Sequence, residues 1–345
     1  MEVLIASPMT PEDAERVAAV EGIELSYRPE LLPTRKWVGD INGEGGVPLD
    51  DERWRDAVER AEVMFGIPGS SAENLIDLVR RAPRLEWVQA RNAGAGQIYA
   101  AALALAEPGE LDRITVTTSS GVHAGPLAEF AILGLLAFAK DLPQRRRWQH
   151  ERHWPEGQTP VGELRGQTLL LVGVGAIGTE TARLAGAFGM HVLAVKRTLE
   201  GGVPHVDELH PVSELRALVG RADAIVVTLP GTDATRGLLD AETLAAVKPG
   251  AVLVNVGRGT VIDEEALAER LQDGTLKGAA LDVFAEEPLP QDSPLWGLEN
   301  VIVTPHDIAL VPAEEPRIVD LFIDNLRRRR AGEPLRNALD PEVLY

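Results

Sequence analysis

Along the chain, short β-rich apolar runs alternate with stretches of helical period, which predicts strands and helices in turn. Val3 to Ser7 reads as a first strand, Pro11 to Val20 as a helix and Ile23 to Tyr27 as a second strand. The Pro/Gly-rich stretch from Pro29 to Pro48 reads as loop. Beyond it the pattern predicts helix Glu52 to Arg60, strand Val63 to Ile67, helix Ala72 to Arg81, strand Leu85 to Ala90, helix Ile98 to Ala106 and strand Ile114 to Thr118. Such alternation predicts a small, doubly wound, flavodoxin-like α/β domain, here without a phosphate-binding glycine fingerprint.

Gly125 to Lys140 is a long, strongly apolar helix carrying Leu127, Phe130, Ala131, Leu133, Leu135 and Phe138. Its apolar surface is broad for one packing face, so part of it is expected in a subunit interface, with burial between domains as the alternative. The alternation then resumes with strand Leu169 to Val172, helix Thr179 to Phe188 and strand His191 to Lys196. Helix Val212 to Val219, strand Ala224 to Leu229, helix Ala241 to Val247 and strand Ala251 to Val256 follow. Helix Glu264 to Gln272 and strands Gly278 to Val283 and Asn300 to Thr304 complete a second parallel sheet. A last helix, Pro312 to Arg330, has an apolar face of Ile318, Leu321, Phe322 and Leu326 and is expected to return to the first domain. The expected architecture is therefore two doubly wound parallel-sheet domains. One is a Rossmann domain over residues 123–306, inserted into a substrate domain formed by 1–122 and 307–345.

The strand Leu169 to Val172 empties into Gly173-Val-Gly175-Ala176-Ile177-Gly178 and then an alanine-rich helix. Gly173 permits the tight turn, Gly175 lets a diphosphate approach the backbone, and Gly178 lets helix and strand pack closely. The free N–H groups and positive dipole end of the new helix would face the phosphates. Strand, glycine turn and helix together point to a dinucleotide site, where the glycine motif alone would not.

Composition narrows the field. Hydrophobic residues at 45% and charged residues at 25% of 345 are ordinary globular usage, and the length suits two domains. The absence of cysteine excludes disulfides, thiolate metal sites and a cysteine nucleophile. A net charge of −19 argues against nucleic acid, whose phosphates would be repelled. The basic runs Arg145 to Arg147 and Arg327 to Arg330 are expected near helix C-termini, where cations favour the dipole. No stretch reads as a signal peptide or a membrane span, which predicts a cytoplasmic protein. His150 and His153 stand three apart, but Trp148, Trp154 and Pro155 around them read as a surface loop, so no metal site is expected.

Three clusters recur at expected strand ends: Asn255-Val-Gly-Arg-Gly259, Leu281-Asp-Val-Phe-Ala-Glu-Glu-Pro288 and Thr304-Pro-His306. With Asn92-Ala-Gly-Ala-Gly96, Gly121-Val-His-Ala124, Ala128-Glu129, Pro294-Leu-Trp296 and Asn300-Val-Ile302, they make the chain resemble the D-2-hydroxyacid dehydrogenase family over nearly its whole length. Reduction of a 2-keto acid needs a cation for the carboxylate, a proton donor for the carbonyl oxygen and a hydride from a nicotinamide. Arg258 offers a planar fork for the first task and His306 an acid/base for the second. A carboxylate beside the imidazole would orient it and stabilise its charged form. The resemblance makes this acid Glu287, immediately before Pro288, rather than Glu286.

The resemblance also implies that the backbone N–H groups of Gly94 and Ala95 hold the substrate carboxylate. Cofactor contacts would come from Thr228, Leu229 and Pro230 near adenine and ribose, from Val256 and Gly257 by backbone, and from Asp282 toward the nicotinamide amide. Asp307, directly after the histidine, departs from the small or apolar residue usual there. Closure of an interdomain cleft is expected. The alternative within the same family is a dinucleotide-sensing binding protein or corepressor with little turnover. Formate oxidation fits poorly, since formate dehydrogenase relatives lack the acid that Glu287 supplies.

In NAD-binding versions of the fold an acid about 20 residues beyond the glycines takes the ribose hydroxyls. Lys196-Arg197-Thr198 stands at that position, 196 − 178 = 18 residues on, with two cations, a hydroxyl and no acid. This suits a 2′-phosphate and predicts NADP(H) as the preferred cofactor, with NAD(H) as the alternative. Glyoxylate or hydroxypyruvate are the substrates expected from the resemblance, and a homodimer is the expected assembly.

Overall fold

The computed structural model describes residues 1–36, 40 and 51–341; of the expected loop from Pro29 to Pro48, positions 37–39 and 41–48 lie outside the described residues. The N-terminal segment runs β1 (Glu2–Ile5), α1 (Pro11–Ala18), β2 (Glu24–Ser26), α2 (Glu52–Arg60), β3 (Val63–Phe65), α3 (Ala72–Arg81), β4 (Trp87–Gln89), α4 (Ala95–Leu105) and β5 (Thr115–Thr117). Side-chain caps start the helices where polar residues precede them. Thr10 accepts from Asp13 N ahead of Pro11, and Ser71 accepts from Asn74 N, each satisfying a donor with no intrahelical partner. The five strands are parallel in the order β2-β1-β3-β4-β5, the flavodoxin-like arrangement.

The chain then forms α5 (Ala124–Ala139), α6 (Leu142–Glu151), β6 (Thr168–Val172), α7 (Ala176–Ala187), β7 (His191–Lys196), β8 (Glu208–Pro211), α8 (Leu215–Val219) and β9 (Ala224–Val227). It continues through α9 (Ala241–Ala245), β10 (Ala251–Asn255), α10 (Glu264–Gln272), β11 (Leu276–Leu281), β12 (Val301–Val303) and α11 (Glu314–Arg330). Two compact units result, one of residues 1–122 with 310–345 and one of residues 123–309. The second unit holds seven parallel strands in the order β12-β11-β10-β9-β6-β7-β8. Neighbouring β6 and β9 mark the point where the winding reverses, as in a Rossmann sheet. Strands Leu169 to Val172 and Ala224 to Val227 are fully buried, as a sheet covered on both faces demands. No helix among the described residues is long and apolar enough to cross a membrane.

α11 belongs to the first unit, where Ile318, Val319, Phe322 and Leu326 pack on Val3, Ile5, Phe65 and Trp87. Eleven of the sixteen residues of α5 are buried, and seven of them, Leu127, Phe130, Ala131, Ile132, Leu135, Phe138 and Ala139, join a core cluster of the second unit. Gly134 lets the helix approach β10 and β11, since a Cβ would lie 2.8 Å from Ala280 Cβ. Among its large hydrophobic side chains Leu133 is the exposed one, at 54%.

Two elements escape the sequence pattern. β8 has one apolar residue, Leu209, and is a half-buried edge strand whose ladder partner on one side suffices to hold it. α6 buries none of its residues, so it has no apolar period to find. Consequently His150 sits in the last turn of a helix rather than in a loop, and Arg145 to Arg147 lie mid-helix rather than near a C-terminus. Arg145 there pairs with Asp141 at 3.3 Å, and Arg147 with Glu299. Arg327 to Arg330 do occupy the last turn of α11.

Candidate active site

All seven strands of the second unit are parallel, so the segments leaving their C-terminal ends emerge on one edge of the sheet. From β6 comes the glycine turn. Gly173 has φ +101°, a conformation open to glycine. A Cβ on Gly178 would lie 2.3 Å from Gly173 O, so strand and helix could not close with a larger residue there. A Cβ on Gly175 would meet nothing within 4 Å. Gly175 and Ala176 are exposed and Ile177 half-buried, ahead of Thr179, whose N–H makes the first α-helical bond, to Gly175 O. The cradle thus has crowded ends and an open middle lined by backbone N–H groups, which fits a diphosphate.

The segment leaving β9 closes one side of this turn. Thr228 Oγ1 donates to Gly173 O at 2.9 Å, and Leu229 packs where a Gly173 side chain would be. Gly257, leaving β10, is equally tight, since a Cβ would lie 2.6 Å from Leu229 O. Leu229 and Gly257, two of the expected cofactor contacts, are therefore brought together with Gly173. Val256 is buried and Pro230 exposed beside them. Lys196 ends β7, half-exposed, with Arg197 and Thr198 exposed after it.

Arg258, Glu287 and His306 leave the adjacent strands β10, β11 and β12. The Arg258 turn is splinted by Asn255, 1% exposed, whose Oδ1 accepts from Gly257 N at 3.0 Å and whose Nδ2 donates to Arg258 O at 3.1 Å. Gly259 then lies flush against the next segment, because a Cβ would fall 1.8 Å from the Phe284 carbonyl carbon. Glu287 accepts from Phe284 N at 3.0 Å through Oε1 and meets His306 Nδ1 at 2.8 Å through Oε2. A carboxylate only accepts, so Nδ1 carries the proton of this bond and Nε2 is the ring nitrogen it leaves free of Glu287.

His306 itself has φ +55°, unusual for a residue with a side chain and costly by about 1 kcal/mol or more. Asp282 holds this strap in place. Its Oδ1 accepts from Thr304 Oγ1 at 2.7 Å and from Asp307 N at 3.3 Å, on either side of His306. Asp282 is 1% exposed, and burial pushes its carboxyl above the usual carboxylate range, opposed by the Thr304 hydrogen bond and by attraction to His306. Asp282 thus has a structural task at the site in addition to the cofactor contact expected of it. Thr304 and Asn255 stood inside the quoted motifs without an assigned role, since nothing local shows which partner a buried hydroxyl or amide takes.

In the first unit, Gly94 caps α4, which begins at Ala95 rather than at Ile98 as expected. Ala95 and Gly96 are buried in the first turn, so their N–H groups belong to a helix N-terminus. The dipole there favours an anion.

The profile of the D-isomer specific 2-hydroxyacid dehydrogenase NAD-binding domain matches residues 132–307, just over half of the chain. The chain belongs to the D-isomer specific 2-hydroxyacid dehydrogenase family. It is 36% identical over 215 residues to (S)-sulfolactate dehydrogenase of Chromohalobacter salexigens, covering 62% of this chain and 70% of that protein. It is 34% identical over 241 residues to glyoxylate reductase of Korarchaeum cryptofilum, covering 67% and 70%. Similarity to D-3-phosphoglycerate dehydrogenase of Methanocaldococcus jannaschii is 30% over 303 residues, 88% of this chain but only 56% of that longer protein. Among solved structures, the family member from Xanthobacter autotrophicus Py2 in complex with NADPH and MES superposes with a TM-score of 0.76 at 29% identity, covering 99% of both chains. An NADPH-dependent glyoxylate/hydroxypyruvate reductase of Sinorhizobium meliloti, in complex with NADP and malonate, gives 0.66 at 28% identity, covering 98% of this chain and 96% of that one. Both family domains thus have counterparts throughout their length, and the fold is that of this family.

Proposed function

We propose that this family member transfers a hydride between NADP(H) and a small 2-keto acid or its D-2-hydroxy acid, with glyoxylate and hydroxypyruvate as the leading substrates. The observation that carries the reading is the Glu287–His306 bond on the strand-end edge that also bears Arg258 and the Gly173–Gly178 cradle. When bound there, the nicotinamide supplies the hydride for the substrate's carbonyl carbon. Arg258 holds carboxylate and carbonyl in a planar fork, and its splinted turn limits the freedom lost on binding. His306 protonates the carbonyl oxygen through Nε2 in reduction and accepts the hydroxyl proton in oxidation. Glu287, bonded to the opposite ring nitrogen, stabilises the charged ring and fixes its orientation.

Lys196, Arg197 and Thr198 are proposed to hold the 2′-phosphate, and Leu229, Pro230, Val256, Gly257 and Asp282 to line the rest of the dinucleotide. Solved relatives carrying NADPH or NADP support this choice. Gly94 and Ala95 are proposed to donate N–H groups to the substrate carboxylate, which their place at a helix N-terminus supports. A cytoplasmic homodimer completes the reading, with Leu133 of α5 on the surface available to a second copy. The test is a panel of 2-keto acids with NADPH and NADH, run beside His306→Ala. Reduction of glyoxylate or hydroxypyruvate, lost in the variant, is expected; near-wild-type turnover by His306→Ala refutes the mechanism.

A further inference from the structure

The loop carrying Arg258 and the turn carrying Glu287 belong to successive strands, and two contacts tie them together. One is the Gly259–Phe284 abutment, which only holds the backbones apart at a fixed distance. The other is directional: Glu264, the first residue of α10, sends Oε1 back to Ala285 N at 2.6 Å. Phe284 and Ala285 therefore present consecutive N–H groups to two carboxylates, Glu287 on one and Glu264 on the other. Asp263 already caps α10 by accepting from Ala266 N, so the Glu264 side chain is not needed for capping.

We propose that Glu264 is a positioning residue, a brace between the Arg258 loop and the Glu287 turn that keeps the substrate fork and the Glu287–His306 pair in register. The role rests on the hydride-transfer reading above. Glu264 is half-buried, and burial, with a further push from the negative charge of Glu287, raises its carboxyl above the usual range, against the lowering by the Ala285 N–H bond. Without the brace, the 284–287 turn keeps the Phe284–Glu287 and Glu287–His306 bonds, the buried Phe284 and the steric stop at Gly259, but Ala285 N loses its carboxylate and the orientation of Glu287 toward His306 loosens.

The experiment compares Glu264→Ala, which removes the acceptor, with Glu264→Gln, which keeps an oxygen for Ala285 N. Expected for Glu264→Ala is a fall in kcat of about tenfold or more, as misplacement of reacting groups produces, with the NADPH dissociation constant within about twofold of wild type. Glu264→Gln recovers most of the loss. NADPH-binding stoichiometry counts the folded fraction. Hydrogen exchange of the 284–287 amides is the second readout, and it is faster in Glu264→Ala and near wild type in Glu264→Gln whatever the substrate. Wild-type exchange in Glu264→Ala overturns the brace, and faster exchange with unchanged kcat overturns its consequence for the reaction. A loss in Glu264→Gln equal to that in Glu264→Ala also overturns it, since charge and not the acceptor would then matter. Should the wild-type protein reduce no 2-keto acid, the functional reading fails while the exchange measurement still decides the brace.

Discussion

Glu287 divides its two carboxylate oxygens between Phe284 N, at 3.0 Å, and His306 Nδ1, at 2.8 Å. The first bond fixes the acid in its own turn and leaves the second to orient a ring that comes from another strand. Glu287→Gln keeps an oxygen for Phe284 N but removes the negative charge facing the ring. A loss in kcat of about 100-fold with little change in NADPH affinity is expected, in keeping with the weight of acid–base assistance. Steady-state kinetics beside a fluorescence titration of NADPH check it, and equal losses in both would place Glu287 in the cofactor site instead.

The glycines of the cradle separate folding from binding. Gly178→Ala forces a Cβ to within 2.3 Å of Gly173 O and should destabilise the fold by about 1–3 kcal/mol, the usual cost of overpacking. Gly175→Ala meets no neighbour and should keep the thermal midpoint while weakening NADPH, because its Cβ points into the open part of the turn. Differential scanning calorimetry with and without NADPH tells these apart. A Gly175→Ala protein binding NADPH as tightly as wild type would contradict the assignment of the phosphate cradle.

Lys196 ends β7 and Arg197 follows it, on the same strand-end edge as the cradle. Lys196→Ala should lower kcat/KM for NADPH by about tenfold or more, the worth of one charge-assisted bond, and leave the NADH value nearly unchanged. A parallel fall with both cofactors argues for a general effect on the fold. A wild-type preference for NADH rejects the 2′-phosphate assignment altogether.

The β7–β8 edge carries a charge cluster away from the glycines. Glu208 takes His191 Nε2 at 2.8 Å, Arg221 Nη2 at 2.9 Å and His210 Nε2 at 3.1 Å. These bonds, that from His191 foremost, hold its carboxyl down at about 2, against a usual 4.5. A depressed carboxylate stabilises the fold above its unfolded value, and that support is lost as pH falls toward the folded value. Glu208→Gln should therefore lower the thermal midpoint above about pH 4.5, and the gap from wild type should close between about 4.5 and about 2. A gap constant across this window would mean that Glu208 contributes by packing rather than by charge.

How far the chain can be read without its fold depends on whether a signal is local. Gly173, Gly175 and Gly178 are tied to one strand and one helix within a few residues, so their spacing together with those neighbours predicted the turn. Arg258, Glu287 and His306 were marked by short motifs in a family order, and parallel strands necessarily deliver their ends to one edge. Helix starts at Pro11 and Ala72 were legible from the local pattern, and the caps Thr10 and Ser71 that hold them bond N–H groups only three residues on.

Partners chosen across the sheet left no such trace. Glu264 reads as an ordinary acid in the first turn of a helix, yet its partner Ala285 is 21 residues on. Asp282 pairs with Thr304 over 22 residues and with Asp307 over 25, and this strap fixes the left-handed backbone of His306. β8 exists because β7 offers it a ladder, and α6 stands on the surface without burying a side chain, so neither needed an apolar period. The sequence by itself determined which residues could do the chemistry and on which strand ends they stand. Only the tertiary structure decided how they are held, because hydrogen-bond geometry and backbone contact at Gly259 depend on chain segments that meet after the sheet has formed.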